Sequence, residues 1–242
     1  MSRSLQHLVF IRHGESEGDL RRAAWRRGET FVTDKLPEDE EITAKGIEQC
    51  RYAGAWIVEH ILKNYNLAGF DGNFVSLSIR SLQSAIALNI GQDNWQGDER
   101  LNERNRGRAS GLTRRQPREQ FPDSFATMNS DPLHWQPPGG NSIIDVLNNW
   151  RGFHEDVKYL DSVIVVGHRD QMWAAMKDIE NLTDEELLAV NTDNIHNGQV
   201  VHYTSIDPST GEAGANLAWV RSIDPAATES VAWTRLPNVP ID

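Results

Sequence analysis

The amino-acid sequence predicts an α/β fold, a three-layer sandwich with a mostly parallel central sheet and helices on both of its faces. Short apolar or β-branched runs alternate with helical segments along the chain, which is the pattern of strands joined by crossover helices. The run Val163–Val166 is continuously apolar, as expected for a strand that is covered on both faces. A length of 242 residues fits one large domain. We therefore predict a single domain over residues 1–242, in which residues 206–242 form a hairpin and a C-terminal tail.

The elements of the N-terminal half follow from local residue patterns. After Thr43, a candidate N-cap, apolar residues recur at three- and four-residue steps as far as Ile61, which predicts one face of an amphipathic helix. In chain order we predict a strand over Leu5–Ile11, a polar helix or loop over Asp19–Gly28, a solvated acidic loop over Asp34–Glu41, a helix over Thr43–Tyr65, a strand over Phe74–Leu77 and a helix over Arg80–Ile90.

The C-terminal half continues this alternation and ends in a hairpin. Ser142 is a candidate N-cap, and the turn sequence DPSTG at residues 207–211 separates two strand-like runs. In chain order we predict a helix over Asn141–Tyr159, a strand over Ser162–His168, helices over Asp170–Ile179 and Thr183–Val190, and hairpin strands over Gly198–Ser205 and Asn216–Arg221.

Composition and charge exclude several classes of function. The chain has 24 Lys and Arg against 35 Asp and Glu, a formal net charge of -11, which is the wrong sign for a protein that binds nucleic acid by counterion release. The single cysteine, Cys50, allows no disulfide within the chain and no thiolate metal cluster, so a reducing cytoplasm is the expected location. No apolar run approaches the ~18 residues of a membrane span. We expect a small-molecule partner rather than nucleic acid or membrane, and the oligomeric state stays open.

Cationic side chains follow three of the predicted strands. Arg12 and His13 follow the first strand, Arg80 follows the second, and His168 ends the strand over residues 162–168. Because ligands collect beyond the carboxyl ends of parallel strands, these groups are expected to form one positive pocket, and arginine suits a phosphoryl or carboxylate group. A histidine in such a pocket can be a spectator, a proton shuttle or a nucleophile, and the pattern alone does not choose among these roles.

Six segments resemble the histidine phosphatase superfamily, the group that includes the cofactor-dependent phosphoglycerate mutases and fructose-bisphosphatase-type enzymes. They occur in the family's order, over roughly residues 8–203, and the first resembles the family's signature. The segments are IRHGESEGD, ITAKGIEQC, SLSIRSLQSA, RLNERNRGRASGL, PPGGNS and VIVVGH.

The resemblance implies a role for each matched residue. His13 would attack phosphorus and become a transient phosphohistidine, and Glu103, kept protonated near neutral pH, would protonate the leaving oxygen. Phosphoryl-oxygen contacts are implied for Arg12, Arg80 and His168, and contacts with the rest of the substrate for Arg104, Arg114 and Arg115. No metal and no cofactor are implied.

Asp19 departs from the family pattern, which usually has an asparagine in contact with phosphate at this position. We keep Asp19 among the phosphate-binding positions and expect one of two outcomes: its carboxylate pairs with an arginine, or phosphate binding is weakened. A second departure is Arg169-Asp170, where the family commonly has a small glycine directly after the second histidine. A solvated face is favoured over an anion-attracting rim for the neighbouring arginines Arg21, Arg22, Arg26 and Arg27.

Three functions follow from these residues. The interval from Glu103 to His168 looks shorter than in the mutases of the family, which favours phosphomonoester hydrolysis. The sequence LNER and the double arginine at Arg114 and Arg115 resemble the mutases, so a phosphoglycerate mutase-type phosphotransferase is the alternative. The departure at Asp19 leaves open a phosphate-binding or interaction module without turnover.

Overall fold

The computed structural model describes residues 4–31, 33–110, 112, 116–190, 192–224 and 232–240. Within these ranges seven strands form one sheet in the order β3-β2-β4-β1-β5-β6-β7. The strands are β1 (His7–Arg12), β2 (Gly72–Val75), β3 (Gln96–Gly97), β4 (Ser162–Gly167), β5 (Val200–Thr204), β6 (Trp219–Ile223) and β7 (Thr234–Arg235).

The sheet has a parallel part and an antiparallel part that meet at β1. Strands β3, β2, β4 and β1 pair in parallel, whereas β5, β6 and β7 continue the sheet from β1 with antiparallel pairing. The antiparallel pair of β5 and β6 is the predicted hairpin around residues 207–211. The parallel part brings the carboxyl ends of β2, β4 and β1 side by side, which is the edge where the sequence predicts the pocket.

Side chains cap the starts of several helices, and the caps at Thr43 and Ser142 are the predicted ones. The Ser16, Thr43 and Ser142 side chains each accept a hydrogen bond from a backbone N–H in the first turn of their helix. The helices are α1 (Glu17–Arg26), α2 (Ala44–Ile57), α3 (Ile79–Leu88), α4 (Gln116–Gln120), α5 (Pro122–Met128), α6 (Ile143–Val157), α7 (Arg169–Ile179) and α8 (Asp184–Ala189). None of them combines the length and the apolar character needed to span a membrane.

Helices pack on both faces of the sheet and so confirm the α/β prediction. Successive side chains of a strand point to opposite faces, and β1 places Leu8 and Phe10 in one core while Val9 and Ile11 lie in the other. The first core includes Trp150 of α6 and residues of α7, and the second includes residues of α2 and α3.

One loop differs from its predicted character. The acidic segment over Asp34–Glu41 is not simply a solvated loop, because Glu40 is only 3% exposed and the Pro37 carbonyl accepts a hydrogen bond from Arg80. The charge pattern indicates exposure, but one buried acid and one backbone carbonyl are enough to bring this loop to the edge of the predicted pocket. The strands β3 and β7 were not predicted, because two residues are too few to show a period.

Candidate active site

The predicted pocket residues meet at the carboxyl edge of the parallel strands. His13 directly follows β1, His168 directly follows β4, and Arg80 lies in the first turn of α3, which begins four residues after β2 ends. The His13 and His168 rings lie with their centroids 5.1 Å apart. Both histidines and both arginines, Arg12 and Arg80, are buried.

His13 is held as a neutral imidazole with one free nitrogen. Its Nδ1 lies 2.8 Å from the Gly14 carbonyl oxygen, which can only accept, so Nδ1 carries the proton and Nε2 keeps its lone pair. Burial lowers the pKa of His13 well below its usual value, and the nearby Asp19 carboxylate opposes this shift only in part. The ring is therefore neutral at neutral pH.

His168 has the opposite tautomer. Its Nδ1 lies 3.3 Å from Nη2 of Arg80, which can only donate, and its Nε2 lies 2.8 Å from the Ser76 hydroxyl oxygen. Nδ1 therefore accepts and Nε2 carries the proton. Burial, followed by the charge of Arg80, lowers the pKa of His168 well below its usual value.

Backbone carbonyls position the two arginines. Arg12 donates from Nη1 to the Ile195 carbonyl, and Arg80 donates from Nη1 to the Pro37 carbonyl. Each guanidinium group is thus held at one nitrogen by the chain while Nη2 points to another member of the site, which is Asp19 for Arg12 and His168 for Arg80. Fixed guanidinium groups lose little side-chain entropy when they bind an anion.

Asp19 pairs with arginine, which is the first of its two expected outcomes. Its Oδ1 accepts hydrogen bonds from Arg12 at 3.0 Å and from Arg22 at 2.7 Å. Its Oδ2 accepts from the Ser16 backbone N–H at 3.0 Å, the Ser16 hydroxyl at 2.8 Å and the Asn197 amide at 3.1 Å. Burial raises the pKa of Asp19, but the charges of His13 in its protonated form, Arg22 and Arg12 outweigh burial and hold the pKa far below its usual range.

Glu103 reaches the site but does not have the predicted protonation state. Its side chain is 28% exposed, and Oε2 lies 3.7 Å from Nδ1 of His168. Burial raises the pKa of Glu103, whereas the charges of Arg80, Arg106 and Arg22 lower it by more, so the net pKa lies below its usual value. The expectation of a protonated acid near neutral pH is therefore not met by these surroundings, because three cations favour the carboxylate.

Of the predicted substrate-binding arginines, the Arg104 side chain makes its described hydrogen bonds to backbone carbonyls rather than to the histidines. Arg104 is buried and donates to the Asn141 and Trp135 carbonyls at 2.8 and 3.2 Å. Arg114 and Arg115 lie outside the described residues. Their contact with substrate stays a prediction.

The residues around Glu103 form a second small network. Arg106 donates to Asp170 at 2.7 Å, and Asp170 is buried at the start of α7. The second departure from the family pattern therefore supplies an acid that pairs with an arginine beside Glu103. Within the described ranges no three His, Cys, Asp or Glu side chains are grouped as a metal site would need.

Sequence reasoning missed two residues of the site, Ser76 and Asn197, and favoured a solvated face for a third, Arg22. Ser76 directly follows β2, so the strand-end argument that found the histidines could have found it as well. Arg22 instead pairs with Asp19, which lies three residues earlier on the same side of the helix. Asn197 lies in a loop and donates to the His13 carbonyl as well as to Asp19, and no local pattern marks it.

A mixed α/β sheet that ends in two buried histidines and two buried arginines is the arrangement expected of a histidine phosphatase. The family model of the histidine phosphatase superfamily (branch 1) matches residues 8–208. The chain belongs to this superfamily, which confirms the resemblance found in the sequence.

Individual relatives include both mutases and phosphatases. A 2,3-bisphosphoglycerate-dependent phosphoglycerate mutase of Sinorhizobium fredii is 26% identical over 195 residues, which cover 76% of this chain and 84% of that protein. The alpha-ribazole phosphatase of Shigella flexneri is a structural neighbour with a TM-score of 0.62 and 17% identity, covering 84% of this chain and 91% of that chain. A mycobacterial glucosyl-3-phosphoglycerate phosphatase has a TM-score of 0.63 and 20% identity, with coverage of 82% and 92%. At these identities the solved structures support the fold alone.

Proposed function

We propose that the protein hydrolyses small phosphomonoesters through a covalent phosphohistidine at His13, with Glu103 as the proton donor. The observation that carries the proposal is the state of His13, which is a neutral ring with Nε2 unprotonated beside the Arg12 and Arg80 guanidinium groups. A phosphoryl group needs this combination of an available lone pair and fixed positive charge.

The first half-reaction transfers the phosphoryl group to the protein. The Nε2 lone pair forms the N–P bond while the bond from phosphorus to the leaving oxygen breaks, and Arg12 and Arg80 bind the equatorial oxygens. An alkoxide is a poor leaving group, so Glu103 gives it a proton. Glu103 takes this proton from solvent as the substrate binds, because a bound phosphoryl dianion opposes the charges of Arg80 and Arg22 that otherwise lower its pKa.

The second half-reaction returns the protein to its starting state. Glu103, now a carboxylate, takes a proton from a water molecule that attacks phosphorus, and the N–P bond breaks. The electron pair of that bond returns to Nε2, inorganic phosphate leaves, Glu103 gives its proton back to solvent, and His13 is again neutral. No step uses a metal ion, so we expect full activity in the presence of a chelator.

A phosphoglycerate mutase-type transferase is the second candidate, because the Sinorhizobium fredii relative named above is a mutase. A mutase must grip a substrate that carries a further anionic group as well as the transferred phosphoryl group. Among the described arginines that follow Glu103, the guanidinium of Arg104 donates to backbone carbonyls and that of Arg106 donates to Asp170. These internal partners support the hydrolase over the mutase.

The test compares two assays on the same purified protein. The first follows phosphate release from p-nitrophenyl phosphate and a panel of alkyl phosphates, and the second follows interconversion of phosphoglycerates after priming with 2,3-bisphosphoglycerate. The proposal predicts phosphate release that His13→Gln abolishes, together with an acid-labile phosphoenzyme at His13. Interconversion that is much faster than phosphate release would favour the mutase, and phosphate binding without either reaction would favour the module that lacks turnover.

A further inference from the structure

Asp19 and Arg22 form a pair that the hydrolysis mechanism does not use. Asp19 is the third residue of α1, and its carboxylate closes a capping box with Ser16, which fixes the carboxylate at the start of the helix. Arg22 follows one turn later and donates to Asp19 at 2.7 Å. The local sequence therefore determines where the Arg22 guanidinium lies.

One oxygen atom joins Arg22 to the phosphate-binding arginine. Oδ1 of Asp19 accepts from Nη2 of Arg12 and from Nη2 of Arg22, so the two guanidinium groups meet at the same atom. Nitrogen atoms that share one acceptor are close enough for a single phosphoryl group to reach both. The remaining acceptor of Asp19, Oδ2, is bound by Ser16 and Asn197, so among the described contacts neither oxygen lacks a donor.

Arg22 changes the net charge of the group that it forms with Asp19 and Arg12. Asp19 and Arg12 alone would sum to zero, and Asp19 would repel a phosphoryl dianion, whereas the addition of Arg22 leaves the group with one net positive charge. The neighbouring Arg21 does not compete for Asp19, because it pairs with Glu40 at 2.7 Å. Arg22 also contributes to the lowered pKa values of Glu103 and His168, which places its charge within range of the pocket.

We propose that Arg22 binds the transferred phosphoryl group together with Arg12, and that Asp19 is a positioning residue that holds Arg22 in place. The Arg22 side chain is 46% exposed, and among the described contacts its hydrogen-bond partner is Asp19 through one nitrogen. Its other N–H groups can therefore bind an anion without breaking the pair. This inference deepens the proposed function, because it adds a residue to the same site.

Calorimetric titration with inorganic phosphate tests the inference without turnover. Arg22→Met keeps an unbranched apolar stem and removes the guanidinium charge, and we expect the affinity for phosphate to fall roughly ten- to a hundredfold, as for the loss of one charge-assisted hydrogen bond. Arg27→Met is the matched control, because Arg27 follows α1, is 59% exposed and pairs with Glu29. A loss in Arg22→Met no larger than in Arg27→Met would overturn the proposal.

The choice of substrate distinguishes binding of the transferred phosphoryl group by Arg22 from binding of a second anionic group on the substrate. If Arg22 binds the transferred group, Arg22→Met raises KM by a similar factor for p-nitrophenyl phosphate, which has no second anionic group, and for a sugar phosphate that carries a carboxylate. A rise confined to the second substrate would refute phosphoryl binding. Arg22→Lys, which keeps the charge, should recover part of the lost affinity, and unchanged thermal midpoints show that the variants are folded.

A double-mutant cycle tests the positioning role of Asp19. We expect Arg22→Met to have at most about a threefold effect on phosphate affinity in the Asp19→Asn background, because Arg22 is no longer held beside Arg12 there. An equal effect in both backgrounds would show that Asp19 does not position Arg22. An affinity that depends on Arg22 without any hydrolysis would refute the hydrolase alone, and hydrolysis with an affinity independent of Arg22 would refute this inference alone.

Discussion

Two buried histidine pairs lie at the two ends of β1. His13 and His168 lie past the carboxyl end with ring centroids 5.1 Å apart, and His7 begins the strand, with its ring centroid 5.3 Å from that of His202 on β5. Burial lowers the pKa of all four, to about 4 for His7. Burial and a low pKa therefore do not distinguish a catalytic histidine from a structural one.

The pair of His7 and His202 is enclosed by partners within the protein. Nδ1 of His7 lies 3.2 Å from Nε2 of His202, and Nη2 of Arg221 lies 3.2 Å from Nδ1 of His202. The Arg221 guanidinium lies between the rings of Trp56 and Trp233, at 4.6 and 4.3 Å from their centroids. Aromatic rings and internal partners thus enclose this arginine.

At the carboxyl end of β1 each histidine instead has a carboxylate nearby. Asp19 lies 4.0 Å from Nδ1 of His13, and Glu103 lies 3.7 Å from Nδ1 of His168. A site that can move a phosphoryl group and a proton is therefore marked by arginines and carboxylates around the histidines, together with the free Nε2 of His13, and not by buried histidines alone.

The largest expected effect contrasts His13 with His202. His13→Gln removes the nucleophile, so kcat should fall by at least roughly 10⁴-fold. His202→Gln replaces an enclosed ring whose described partners are His7 and Arg221. The folded molecules of this variant should therefore have a kcat close to that of the wild type. Steady-state kinetics at matched folded fractions, measured by circular dichroism, checks both variants. A comparable loss in His202→Gln would contradict the distinction between the two pairs.

The next effect concerns Glu103, the carboxylate beside His168. The described contacts of His7 and His202 contain no such carboxylate. Glu103→Gln should lower the single-turnover rate of phosphoenzyme formation from alkyl phosphates by about 10² to 10⁴ and should change the rate from p-nitrophenyl phosphate far less, because p-nitrophenolate leaves without a proton. Since the proton must be on Glu103 in this step, the rate of phosphoenzyme formation from alkyl phosphates should fall as pH rises through the pKa of Glu103 in the complex.

The pH profile supplies the control for that prediction. Glu103→Gln should abolish the alkaline fall in the rate of phosphoenzyme formation from alkyl phosphates, while the profile of that rate for p-nitrophenyl phosphate stays the same. Equal losses for both classes of substrate would indicate that Glu103 holds the site together rather than donating a proton.

The sequence predicted those parts of the molecule that depend on short-range patterns. Continuous apolar runs locate β1 and β4, and the residues that follow them, Arg12, His13 and His168, meet because parallel strands share one edge. Helix caps also depend on short-range patterns, and Thr43 and Ser142 were predicted as caps. Ser16 has the same kind of pattern but was not predicted.

The protonation state of Glu103 could not be predicted in this way. It depends on Arg80 in α3, on Arg22 in α1 and on Arg106 in the following loop, and no single segment contains all three. Asn197 and the buried Glu40 likewise acquire their roles only when distant loops fold against the sheet edge.

The smallest expected effect is on stability, and it comes from the amino-terminal pair. The pKa of His7 falls from 6.5 to about 4 on folding, so between these values the unfolded chain binds more protons than the folded protein. Stability is fully present above pH 6.5 and is lost as the pH falls toward 4. His7 alone should cost about 2 kcal/mol of unfolding free energy between pH 7.5 and 5.0, by proton linkage.

His7→Asn isolates this contribution, because the asparagine amide can still bond His202 but does not titrate. We expect the variant to lose about 2 kcal/mol less than the wild type between pH 7.5 and 5.0 in urea unfolding, with kcat unchanged at pH 7.5. If both proteins lost the same unfolding free energy between pH 7.5 and 5.0, the pKa of His7 would have to be the same in the folded and the unfolded chain. If His7→Asn lowered kcat as well as changing stability, the two histidine pairs would be coupled through β1. The contrast between an enclosed pair and a reactive pair would then no longer hold.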